Sequence, residues 1–102
     1  MSEPLSQLHD ATLLNISLDW PAKSCTFSFA GAPSIPGPFR IEWHGVEELV
    51  VPRTNAWGES ASVLSAKSCG ANRYELQMQS GDVIVVVSAN YSLKRTAAGR
   101  LR

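Results

Sequence analysis

Apolar residues recur at every second position along much of this chain, and that period most constrains its fold. Leu14, Ile16, Leu18 and Trp20 fall on one face, and Asn15, Ser17 and Asp19 on the other. Successive side chains of a strand point to opposite faces, whereas a helix would space its apolar stripe at about 3.6 residues. Pro21-Ala22 then marks a turn, because proline presets the dihedral of a turn's second position and cannot donate to a ladder. Beyond it, Cys25, Phe27 and Phe29 alternate with Ser24, Thr26 and Ser28. A tight turn there is expected to pair Leu18 with Cys25, Ile16 with Phe27 and Leu14 with Phe29. All apolar partners then share one face, and a slip of one residue would destroy that match.

The same reading continues downstream. Residues 31–38, GAPSIPGP, hold three prolines and two glycines and are expected to form a loop. A third strand follows, with Phe39, Ile41 and Trp43 inward and Arg40, Glu42 and His44 outward, and Gly45 is expected to end it. Val46–Val51 is expected to return as a separate segment closed by Pro52; one helical turn over Val46 and Leu49 is the alternative there. Residues 60–72 fit a weak edge strand. The best hairpin signal is RYELQMQSGDVIVVVSA, residues 73–89. A two-residue turn at Ser80-Gly81 pairs Met78 with Val83, Leu76 with Val85 and Tyr74 with Val87. Ile84 and Val86 would then face outward and require cover by the tail, another segment or a second subunit. The count of six to seven short strands, with no long helix, predicts an all-β fold. Its expected form is an antiparallel β-sandwich or rolled meander, one domain over residues 1–102.

Charge narrows the function classes. The 102 residues hold nine Lys and Arg against nine Asp and Glu, so no overall field recruits nucleic acid or a membrane surface. The basic tail, about residues 92–102, carries Lys94, Arg95, Arg100 and Arg102. That leaves five basic and nine acidic residues before Lys94, a net of 5 − 9 = −4. Without interleaved aromatics the tail is expected to be a solvated end, not a nucleic-acid site. The opening MSEPLSQLHD lacks the pattern of a secretory leader, and the apolar run 83–87 is far too short to span a bilayer. The expectation is a cytoplasmic protein with reduced thiols. Cys25 and Cys69 have no metal-ligand spacing, and Cys25, alternating with two phenylalanines, is expected in the core.

Few residues carry candidate chemistry. His9-Asp10, joined by His44, could serve a metal-dependent hydrolase or a metal-binding protein. On a strand, however, neighbours diverge, so Asp10 is expected instead to cap the first strand through a side-chain-to-backbone bond. No G-x-S-x-G elbow is present. GAPSIPG opens no helix and is not a phosphate loop, and Glu47-Glu48 reads as a solvated turn. The loop VVPRTNAWGES, residues 50–60, places Arg53 beside Trp57, two residue types enriched at interface hot spots. Its alternative role is structural, with Trp57 as the loop's anchor.

Several motifs together, LHDATL, LDW, GV-x-x-L-x-VPR, WGES and MQSGD, resemble a family of short bacterial proteins of uncharacterised function over residues 8 to about 89. The opening HD-A-x-L-x-x-I-x-LD pattern is also similar to immunity proteins of bacterial polymorphic toxin systems, which are small, cytosolic and non-enzymatic. The resemblance implies that His9, Asp10, Arg53, Trp57, Gly58, Ser60, Gln79, Ser80, Gly81 and Asp82 are motif positions. The resulting expectation is a non-enzymatic, protein-binding bacterial protein without cofactor or small-molecule ligand. Its candidate surface is Arg53, Trp57, Ser60, Gln79, Asp82, His9 and Asp10, and its partner is another protein or a second copy of the chain.

Overall fold

The computed structural model describes residues 4–52 and 62–95. A short 3-10 helix, Pro4–Gln7, precedes six strands: β1 Leu13–Asp19, β2 Ser24–Phe29, β3 Phe39–Val50, β4 Val63–Ser68, β5 Arg73–Met78 and β6 Val83–Arg95. All pairings are antiparallel, in one sheet of order β1-β2-β3-β6-β5-β4. The all-β expectation therefore holds, and residues 63–68 do form an edge strand.

β3 and β6 are long because each serves both halves of the sheet. The first half of β3 pairs with β2, from Phe39↔Phe29 to His44↔Ser24, and with the end of β6. Its second half pairs with the start of β6, which also carries β5. At one corner the two edges meet through a Thr12↔Ser62 bridge, with Asp10 N–H donating to the Val63 carbonyl at 2.8 Å and Val63 N–H to the Ala11 carbonyl at 2.9 Å. The sheet is thus rolled, and one face becomes the interior. Phe27, Phe29, Phe39, Ile41, Trp43, Val63, Leu76, Met78, Ile84 and Val86 fill it. Leu5, Leu8 and Ala11 complete it from the N-terminal segment. Period-two counting passes over that segment, although the i, i+3 spacing of Leu5 and Leu8 is its signal.

The first hairpin forms where the sequence places it. Lys23 N–H donates to the Trp20 carbonyl at 3.1 Å across Pro21-Ala22, and Leu18↔Cys25 and Ile16↔Phe27 pair as expected. The third pair differs. A bulge between Leu13 and Asn15 puts Leu13, not Leu14, opposite Phe29. Leu13 is buried, and Leu14 is 62% exposed.

Two further expectations are corrected. Gly45 does not end β3. It sits inside the strand at φ 66, where an added Cβ would meet the Ala89 Cβ at 3.0 Å, and the pairing with β6 runs on through it from His44↔Asn90 to Val46↔Ser88. The expected separate segment 46–51 is for the most part the second half of β3. The last hairpin has a three-residue turn, Gln79-Ser80-Gly81, not two. Gly81 N–H reaches the Met78 carbonyl at 2.9 Å, Met78 N–H reaches the Asp82 carbonyl at 2.8 Å, and Gly81 takes φ 102. A turn of this length ends with a positive-φ residue, which glycine supplies. The extra residue shifts the register by one: Leu76 faces Ile84, and Tyr74 faces Val86. Ile84 and Val86 are fully buried, and Val83, Val85 and Val87 are the outward set, each half-buried. The case for a covering second subunit that relied on Ile84 and Val86 facing outward falls with that register.

Candidate functional site

His9, Asp10 and Gln79 meet at the corner where the sheet edges join. His9 Nδ1 lies 2.8 Å from the Leu64 carbonyl, which can only accept, so Nδ1 carries the hydrogen. Nε2 stands 3.5 Å from Asp10 Oδ2, and Gln79 Nε2 donates to Asp10 Oδ1. Two neighbouring side chains converge here because this is not strand: Asp10 has φ 66, the left-handed region that Asp and Asn tolerate best among residues with a side chain. Among the described residues the carboxylate binds the Gln79 side chain, and no backbone group donates to it. In the adjoining turn, Ser80 Oγ donates to Asp82 Oδ2 at 3.2 Å and accepts from the Asp82 N–H at 3.3 Å. Asp82 is 4% exposed, so it belongs to the turn's interior and not to a contact surface.

His44 does not join this group. It lies on the outer face of β3 near Glu42, with Ser92 Oγ 3.5 Å from its Nε2. Glu42 is held by Arg40 Nε at 2.6 Å and Lys94 Nζ at 3.3 Å, and the Arg40 bond in the first place lowers its carboxyl below the ordinary value. Among the described residues, no three His, Cys, Asp or Glu side chains come together to hold a metal. Arg53, Trp57, Gly58 and Ser60 lie outside the described residues.

Cys25 is buried, as its alternation with phenylalanines implies, and burial pushes its thiol up to about 11. Folding thus favours the protonated form. That contribution is complete below the ordinary thiol value of 9.0 and is lost as pH rises through about 11. In native protein at neutral pH, a maleimide should label the half-buried Cys69 and spare Cys25, with both labelled in denaturant. Equal native labelling of both thiols, by mass spectrometry, would contradict the assignment of Cys25 to the core.

Sequence reasoning missed a groove of about 470 Å3 at the β1–β2 turn, lined by Leu18, Asp19, Trp20, Lys23, Val46, Glu47, Glu48 and Leu49. Three local features build it. The turn is closed locally: Asp19 Oδ1 accepts from the Ala22 N–H at 3.3 Å, and Lys23 takes φ 56. The turn is tied to β3 just past Gly45, since Val46 N–H donates to the Lys23 carbonyl at 2.7 Å. A bulge between Val46 and Glu48 then resets the alternation, so consecutive Glu47 and Glu48 both border the groove. Glu47-Glu48 is therefore strand, not the solvated turn expected from sequence. Trp20 is 80% exposed and Leu18 46%.

No family model matches the chain, and no curated protein matches it. One solved structure similar to it is that of an uncharacterized protein from Neisseria gonorrhoeae. It is 10% identical, with a TM-score of 0.56, over 86% of this chain and 93% of that one. At such identity the likeness is one of fold alone.

Proposed function

We propose that this protein acts by binding another protein and not by catalysis, with the groove beside the Trp20 turn as its contact. The observation that carries the reading is the 80% exposure of Trp20 above a preformed groove. An exposed tryptophan next to Leu18, Val46 and Leu49 is costly to leave in water, and tryptophan is the residue type most enriched among interface hot spots. His9, by contrast, has both ring nitrogens next to acceptors, which supports a structural role for the corner it occupies. The sequence resemblance to small immunity proteins suggests one form of the activity: occlusion of a partner protein in the cytoplasm.

A photo-cross-linking residue in place of Trp20, used in the source cells, identifies the partner. The purified partner is then titrated against the wild type, Trp20→Ser and His9→Ala. Loss of a hot-spot side chain costs about 2 kcal/mol or more, roughly a thirtyfold weaker Kd. Trp20→Ser should show that loss with an unchanged melting temperature, and His9→Ala should bind as the wild type does. Equal binding by wild type and Trp20→Ser would remove the groove from the function.

A further inference from the structure

We infer that the groove receives a cationic segment of the partner protein, an Arg or Lys side chain laid on Trp20 with its charge among Asp19, Glu47 and Glu48. This rests on the reading that the groove face binds protein, and it adds the partner's chemistry.

The groove's charges argue for it. Among the described residues, three carboxylates border the apolar floor, against one base, Lys23. Elsewhere on the sheet surface the acids are already served: Glu42 by Arg40 and Lys94, and Glu75 by Arg73 at 3.2 Å. The ion pairs among the described residues engage none of Asp19, Glu47, Glu48 and Lys23. Asp19 gives one oxygen to the turn, and among the described residues no bond engages the other. The bulge matters as much as the residue types, because in a regular strand only one of two consecutive glutamates would face the groove.

The floor selects what kind of cation fits. A hydrated metal ion or a bare ammonium gains nothing from Leu18, Val46 and Leu49. An Arg or Lys side chain buries its aliphatic stem on such a surface while keeping its charged end at a polar rim. The face of an exposed indole attracts that same charged end. One side chain thus satisfies both the apolar floor and the acidic rim, and an acidic or purely apolar segment satisfies at most one.

The test uses three capped hexapeptides, Ala-Arg-Ala-Leu-Arg-Ala and its analogues with Gln or Glu in place of both Arg residues. Each is titrated into 15N-labelled protein at low salt, and the Trp20 indole signal is identified by its loss in Trp20→Phe. The Arg peptide should shift that signal saturably. Its apparent Kd should be at least fivefold tighter than that of the Gln peptide, and should weaken severalfold on adding 0.3 M NaCl. Glu47→Gln/Glu48→Gln should remove most of the preference and leave the amide spectrum of the core intact. If the Gln or Glu peptide binds as tightly as the Arg peptide, the groove still binds protein and the cationic inference fails alone. If none shifts Trp20, the inference fails, and the partner titration above judges the wider reading separately. If the protein self-associates, and Arg100→Ala/Arg102→Ala both dissociates it and frees the groove for the Arg peptide, the occupant is a second copy and the separate partner is overturned.

Discussion

Ile84→Lys should unfold the protein. Ile84 is fully buried opposite Leu76, in a central strand flanked by β3 and β5. A lysine there removes an apolar side chain and puts an ammonium into the cluster that holds Leu76, Val86 and Met78, while Asp82, the buried carboxylate two residues earlier, already binds Ser80. An unpaired buried charge costs several kcal/mol after relaxation, a large share of the roughly 5–15 kcal/mol by which domains are stable. Val85→Lys is the matched control. Val85 is half-buried on the outer face and pairs with Glu75, so the new ammonium has solvent and an opposite charge across the strands. Its cost should be within about 1 kcal/mol. Far-UV circular dichroism and urea titration read both variants. The two-residue turn would give the reverse ranking, so a folded Ile84→Lys beside an unfolded Val85→Lys would refute the described register. Where Ile84→Lys is too unstable to purify, Ile84→Ala should still fold and lose about 2–5 kcal/mol.

That contrast shows where the sequence could be read and where it could not. Alternation identifies strands and their inner residues wherever the turn length is fixed by its chemistry. At Pro21-Ala22 the proline fixes it, and Leu18 and Ile16 find their partners. At Ser80-Gly81 the glycine fits equally the second place of a short turn or the last of a three-residue turn, and alternation cannot separate them when Val83–Val87 is apolar on both faces. Gly45 illustrates the same ambiguity: a positive φ can stop a strand or sit within one, and the long pairing of β3 with β6 keeps Gly45 inside the strand. The groove was hidden for a related reason. Its acids are brought together by a bulge, and its floor joins residues 18–20 to 46–49 from separate parts of the chain, so no single stretch of sequence carries the pattern. His9 and Asp10 converge through one left-handed residue that strand geometry does not anticipate. In each case a single backbone irregularity redirected the side chains.

The second large effect should come from Trp43, the centre of the aromatic core. It is fully buried, with ring centroids of Phe27, Tyr74 and Tyr91 at 5.6, 5.1 and 5.3 Å. Tyr74 and Tyr91 also meet each other edge to face at 5.3 Å, so Trp43 connects β2, β5 and β6 through one side chain. Trp43→Ala leaves a void that these rings cannot close without abandoning their mutual contact, and it should cost about 3–5 kcal/mol. Trp43→Phe should cost far less, and for a specific reason. The indole Nε1 is buried with no hydrogen-bond partner among the described residues, and an unmet buried donor costs about 1–3 kcal/mol. Phenylalanine removes that donor along with part of the ring, so the lost packing is partly offset. Urea titrations followed by circular dichroism, with unchanged m-values, give both numbers free of the other tryptophans' fluorescence. A Trp43→Ala loss under about 1 kcal/mol would displace Trp43 from the centre of the core. A Trp43→Phe loss equal to that of Trp43→Ala would mean that the indole N–H is satisfied after all.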